Sequence, residues 1–245
     1  MKRSLLALAT LLSISAVPAV SHAEDNPLSF NVSLTTDYRY RGISQTRLKP
    51  ALQGGADYAL PGGFYVGTWA STIKWIKDFG GDASVEWDLY GGYKGEIQKD
   101  LGYDVGVLSY VYPSNALNPS ANTTEIYGAM TFGPATLKYS HSVTNLFGFI
   151  DSKNSGYVDL SASFDVGGGV TLAPHLGYQK VAKNSSFSYT DYSLTASKDW
   201  FGMTFSAALI GADTKSIAGV KAYASPANGK DLGRGGLVLA VKKTF

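Results

Sequence analysis

The chain has 245 residues, with 21 Lys or Arg, 19 Asp or Glu and no cysteine. Setting aside Lys2 and Arg3 of the N-terminal segment leaves 19 basic residues against 19 acidic ones, a net charge of zero that gives no pointer to nucleic acid, and none is expected as a partner. Without cysteine, an exported chain has neither disulfides nor thiolate metal sites to hold it.

Residues 1–23 begin with basic Lys2 and Arg3, continue through an apolar run from Leu5 to Val20 and end on Ser21-His22-Ala23. That is the anatomy of a secretory signal peptide, too short and wrongly flanked for a resident membrane helix. Residues 24–245 are read as a single unit. No run within them approaches the roughly 20 apolar residues of a membrane helix. Instead Gly (28), Tyr (16) and Phe (11) are abundant, and the dominant period is two.

The first alternating segment sets Phe30, Val32, Leu34, Thr36, Tyr38 and Tyr40 against Ser29, Asn31, Ser33, Thr35, Asp37 and Arg39. Val85, Trp87, Leu89 and Tyr93 alternate with Glu86, Asp88, Tyr90 and Lys94. Val158, Leu160, Ala162 and Phe164 do the same with Asp159, Ser161 and Ser163, and Leu237, Leu239 and Val241 do so near the end. About 12 such segments are expected, each near the 9–11 residues with which a tilted strand crosses the hydrocarbon layer.

The links between segments alternate in length. Pro61-Gly62-Gly63, Gly133-Pro134 and Gly167-Gly168-Gly169 are tight, with looser turns at 95–100 and 198–202. The stretches 42–50, 77–84, 113–122, 147–155, 182–187 and 213–232 are long and polar. Short turns at one end and long loops at the other predict an all-β, antiparallel transmembrane barrel of about 12 strands, with periplasmic turns and extracellular loops. A soluble exported β-sandwich would share the alternation, but its polar face would carry more charge than these Gly-, Ser- and Thr-rich strands do.

The stretch TTDYRYRGISQT carries Asp37, Tyr38, Arg41, Gly42, Ser44, Gln45 and Thr46, and Pro50, Ala51, Gln53, Gly54 and Gly55 follow it. These two blocks resemble the D-Y-x-x-R-G-x-S-Q-T and P-A-x-Q-G-G signatures of the TorF-type porin family of proteobacteria, a likeness clearest over residues 28–112. The resemblance implies an outer-membrane β-barrel that passes small solutes, and it supplies no substrate and no catalytic residue. The terminal Phe245 resembles the aromatic end by which the barrel-assembly machinery recognises outer-membrane proteins. Lys243 departs from that pattern, where an apolar residue is usual.

With the apolar phase facing lipid, the charged phase maps the lumen. Arg39 and Arg41 near the outer end of the first strand, with Arg234 at a similar height and Lys242 near the periplasmic mouth, are expected to form a basic wall, and Asp37 to line the pore between the walls. Glu86, Asp88 and Glu125 are expected to form an acidic wall across from it, giving a transverse field in a narrow pore. The competing expectation is that these charges pair and fill the lumen. Tyr38, Tyr40, Trp69, Trp75, Trp87, Tyr178 and Phe245 are the expected aromatics of the two membrane interfaces. The loop 213–232 is a candidate to fold inward.

Catalysis finds little support. Beyond the signal peptide only His141 and His175 remain; Ser140 and Ser142 point away from His141, and His175 has no acidic neighbour in sequence. Two histidines without cysteine argue against a zinc site, and no cofactor is expected. The reading is a non-enzymatic outer-membrane channel for passive diffusion of small polar solutes, with the bilayer, the assembly machinery and those solutes as partners. The alternatives are a non-conducting barrel with a structural or surface-binding role and a barrel lipid hydrolase.

Overall fold

A computed structural model describes residues 27–245; the expected signal peptide, residues 1–23, lies outside them. The strands are β1 Leu28–Thr35, β2 Ala51–Ala59, β3 Phe64–Thr72, β4 Val85–Gln98, β5 Leu101–Val111 and β6 Thr123–Phe132. They continue as β7 Ala135–Ser142, β8 Gly156–Ala162 with its extension Phe164–Asp165, β9 Val170–Lys180, β10 Tyr189–Trp200, β11 Met203–Asp213 and β12 Gly236–Thr244. Each pairs antiparallel with its neighbours in sequence, and β1 pairs with β12, Leu34 lying opposite Val241. The result is a closed twelve-stranded barrel. Closure satisfies the backbone of every strand without an edge, as a structure immersed in lipid requires.

The period of two sorts the side chains. Leu52, Leu137, Leu160, Leu209 and Leu237 stand on the outer surface, each more than half exposed. The alternate positions Gln53, Lys138, Asp159, Ala208 and Val238 are buried inside. The tight links fall at one end of the barrel. Between β10 and β11 the turn residues Phe201 and Gly202 both have positive φ, 49° and 67°, the backbone of a two-residue hairpin turn matched to the twist of its strands.

Part of the tyrosine and glycine content has a joint cause. Inward tyrosines lie flat along the wall, each ring over a glycine of an adjacent strand: Tyr65 over Gly92, Tyr90 over Gly67, Tyr127 over Gly106 and Tyr157 over Gly177. A methyl group at any of these glycines would overlap the ring.

One element departs from the expected pattern. The alternation through Tyr40 predicts a first strand running to that residue, whereas β1 ends at Thr35. Its threonines release the chain: the Leu239 N–H donates to Thr36 Oγ1 at 3.0 Å, and Thr35 Oγ1 donates to the Asp37 carbonyl at 3.0 Å. Hydroxyls take over the partners a continuing strand would have supplied, and residues 37–46 turn into the barrel instead of rising with its wall.

Candidate functional site

The inserted segment is a miniature hairpin. Arg39–Tyr40 pairs with Ile43–Ser44, and Arg41 and Gly42 form the turn with φ of 46° and 79°. Every residue from Asp37 to Thr46 is buried. Gly42 is required at the tip, because a Cβ there would lie 2.7 Å from the Asp191 Cβ and 2.8 Å from the Gly211 carbonyl oxygen. The tip thus rests against β10 and β11.

Each side chain of the hairpin has its own anchor. Asp37 accepts from Arg39 Nε and Ser44 Oγ, both at 2.5 Å, which ties the two arms together. Arg39 Nη1 also donates to the carbonyls of Gly42 and Leu232 at 2.9 and 2.8 Å. Arg41 forks onto Glu125, with Nη2 to Oε2 at 2.7 Å and Nη1 to Oε1 at 3.1 Å, and donates to Gln179 Oε1 at 2.6 Å. Its guanidinium lies 4.1 Å from the Tyr157 ring centroid and 4.8 Å from that of Tyr40. A bidentate, desolvated pair of this kind holds strongly once formed, because separating it strands a buried charge.

The tyrosines complete the seal. The Tyr38 hydroxyl bonds Glu86 Oε1, and Tyr112 donates to Glu86 Oε2 at 2.8 Å. Burial, then the charges of Glu86 and Asp88, hold the Tyr38 phenol well above its ordinary range, so it stays a donor. Tyr40 donates to the Tyr110 hydroxyl at 2.9 Å.

Below the hairpin lies a second polar layer. Tyr65 donates to Asp104 at 2.7 Å and Tyr90 to Asp57 at 2.6 Å. Lys138 Nζ sits 4.0 Å above the Tyr127 ring centroid. His175 Nε2 lies 2.8 Å from Asp159 Oδ2, and its Nδ1 lies 3.6 Å from Asp191 Oδ1. Asp88 is buried with no hydrogen-bond partner on either carboxylate oxygen. Among the described residues no cluster of His, Asp and Glu is placed to hold a metal ion.

Asp37, Arg39, Arg41, Glu86, Asp88 and Glu125 therefore all lie inside the barrel, each less than 10% exposed. Their arrangement differs from opposed walls, since the hairpin carries Arg41 directly onto Glu125. The Arg234 side chain is exposed, and only its carbonyl joins the network, as an acceptor from Arg39 at 3.2 Å. Lys242 is half-buried, opposite Ser33 and Thr204 toward the turn end.

The aromatic expectations divide. Trp87 and Tyr178 stand outward, 45% and 49% exposed, and Phe245 is 69% exposed with its backbone paired to Phe30. Tyr38 and Tyr40 are instead buried inside the barrel, because the chain has left the wall before reaching them. Trp69 shares the inward phase of Tyr65 and Ser71, its ring 5.5 Å from Tyr38. Trp75 belongs to a one-turn helix, Trp75–Asp78, in the loop after β3, 5.2 Å from the Tyr112 ring.

Loop 36–50, rather than 213–232, is the one whose whole tip folds inward; the later loop carries an exposed hairpin, Ser216–Ile217 with Val220–Lys221. His141 points outward beside Tyr139, while Ser140 and Ser142 are buried on the inner face. The acidic partners of His175 escaped the sequence reading because they come from β8 and β10. Register would have found them: His175 lies opposite Ser161 and Ser193, two residues beyond Asp159 and Asp191. His175 Nε2 is engaged by Asp159 and by the Tyr157 hydroxyl at 3.1 Å, so the ring ties β8 to β9.

The barrel resembles solved porins. It is similar to a KdgM porin solved in complex with disordered oligogalacturonate, with TM-score 0.55 and 8% identity over 89% of this chain and 97% of that one. It is similar to the NanC porin with TM-score 0.53 and 8% identity over 89% and 98%. At that identity the likeness establishes the fold. No curated protein matches the sequence. The model of the family described as Gcw_chp, bacterial proteins of unknown function, matches residues 20–245. These comparisons support a porin-like barrel and lend no support to the TorF name.

Proposed function

The chain belongs to the Gcw_chp family of bacterial proteins, and we propose that it is an outer-membrane channel of narrow bore that admits small polar solutes past an internal hairpin. The observation that carries this is the hairpin 37–46 itself. It is a short loop held by side chains, with Arg41 on Glu125 and Tyr38 on Glu86, inside a barrel whose inner wall is polar and whose outer wall is apolar. A constriction fixed in this way narrows the bore, and its charges are matched in buried pairs, so the segment adds no net field of its own to the passage. Residues 1–23 act as the export signal, and the β12 end at Phe245 as the handle for the assembly machinery. The protein performs no chemistry on what it passes.

Single-channel recording in planar bilayers tests the reading. The wild-type chain should give small, discrete conductance steps, and the double substitution Arg41→Gln with Glu125→Gln should enlarge them by loosening the tip. Absence of steps from both proteins at every voltage would sink the channel. The burial of the whole hairpin would then favour the second reading, a closed barrel that serves as a scaffold in the membrane.

A further inference from the structure

Outside the hairpin, between the extracellular loops, lies a cavity of about 460 Å³, within the size range of small-molecule sites. Its walls are aromatic: Tyr40, Trp75, Tyr112, Phe147, Phe187 and Tyr223 all line it. None of its lining residues is Asp, Glu, Lys, Arg or His, and the polar ones are amides and hydroxyls such as Gln45, Asn118 and Gln179. The contrast with the charged network immediately beneath it is sharp. A site built for ions or charged sugars would place guanidinium or carboxylate groups on its surface.

The walls are also preorganised. Tyr40 meets Phe147 edge-on at 5.3 Å, Trp75 meets Tyr112 at 5.2 Å, and Tyr223 bridges Phe187 at 5.9 Å and Tyr189 at 5.1 Å. The Tyr223 hydroxyl donates to the Phe187 carbonyl at 2.8 Å, which pins the late loop to the one before β10. Edge-to-face contacts of this kind fix ring positions, so little order is left for a ligand to impose.

From the size, the ring-lined walls and the absence of charge, we infer that this cavity is a binding site for a small, neutral, largely apolar molecule with few polar groups. Its floor is the inserted hairpin, through Tyr40, Ile43, Ser44 and Gln45, so an occupant sits directly on the segment that fills the lumen. The site stands independently of conduction, because binding to it requires no open pore.

Equilibrium dialysis of the full chain in nanodiscs, with empty nanodiscs subtracting lipid partition, tests this with a matched pair of probes. The neutral ketone 2-acetylnaphthalene should bind saturably at one site per chain, and the charged 2-naphthoate at least tenfold more weakly. Ala222→Lys adds a cation to the lining without removing a wall contact; it should weaken the ketone about tenfold and narrow or reverse the preference. Ala224→Trp fills the space and should abolish binding of both probes. Heat-modifiable gel migration confirms that each variant has folded. Non-saturable uptake by the wild type, equal binding of the two probes, or ketone binding within twofold of wild type in both folded variants would overturn the inference.

Discussion

The two halves of the barrel interior share strands and outward alternation, yet they are packed in different ways. Toward the loops the inner wall carries Glu86, Tyr110, Glu125, Tyr157, Gln179 and Asp191, all buried against the hairpin. Toward the turns it carries Ser29, Asn31, Gly55, Gly102, Thr171 and Ala173, all half-buried. The loop half behaves like a protein core made of polar groups, where water is excluded and an unmatched charge is costly; Arg41, Glu86 and Glu125 are matched there, and Asp88 is the exception. The turn half behaves like a solvated passage, where small side chains leave space and no partner is demanded. A substitution should therefore cost much in one half and little in the other.

The sharpest break of that contrast is the Arg41–Glu125 pair. Arg41→Gln or Glu125→Gln alone strands a buried charge and should cost about 3–5 kcal/mol. The double substitution should cost clearly less than the sum of the two. Urea titration of the refolded barrel, read by gel migration, measures all three; additive losses would mean the two groups are not coupled. Gly42→Val comes next. Left-handed backbone at a β-branched residue costs up to about 3 kcal/mol, and its side chain would press on Asp191 and Gly211. The hairpin should loosen while the barrel stays folded, seen as faster proteolysis near residue 42 with unchanged heat-modifiable migration. The smallest effect compares two glycines of β5. Gly106→Ala would drive a methyl into the Tyr127 ring and should cost roughly 1–2 kcal/mol. Gly102→Ala would set its methyl 3.5 Å from the Gly95 carbonyl oxygen, ordinary contact, and should be neutral or stabilise by roughly 0.4–1 kcal/mol through the unfolded chain. Equal losses at the two positions would erase the distinction between the halves.

Much of the wall was legible. Glu86, Trp87 and Asp88 alternate in the sequence as they do in the barrel, because facing along a strand is a local property with period two. The glycine turns at 61–63, 133 and 167–169 were legible for the same reason. The hairpin was not, although it left a trace. Arg39-Tyr40-Arg41-Gly42-Ile43-Ser44 has a glycine at the second turn position between two short alternating arms, the pattern of a tight reversal. That trace was hidden because Tyr38 and Tyr40 also continue the alternation of β1, and continuation was the simpler reading. Trp69 shows a related limit: in a strand as rich in small residues as Gly67-Thr68-Trp69-Ala70-Ser71, hydrophobicity does not mark the lipid side.

By itself, then, the sequence determined the barrel class, the strand count, the side of the short turns and the facing of most wall residues. All of these follow from local periodicity and from the demand that backbone in lipid be paired. Only the tertiary structure decided what occupies the lumen. Arg41 finds its partner 84 residues away, and His175 finds its carboxylates on two neighbouring strands. Such pairings depend on barrel closure and register, and no property of the residues adjacent in sequence encodes them.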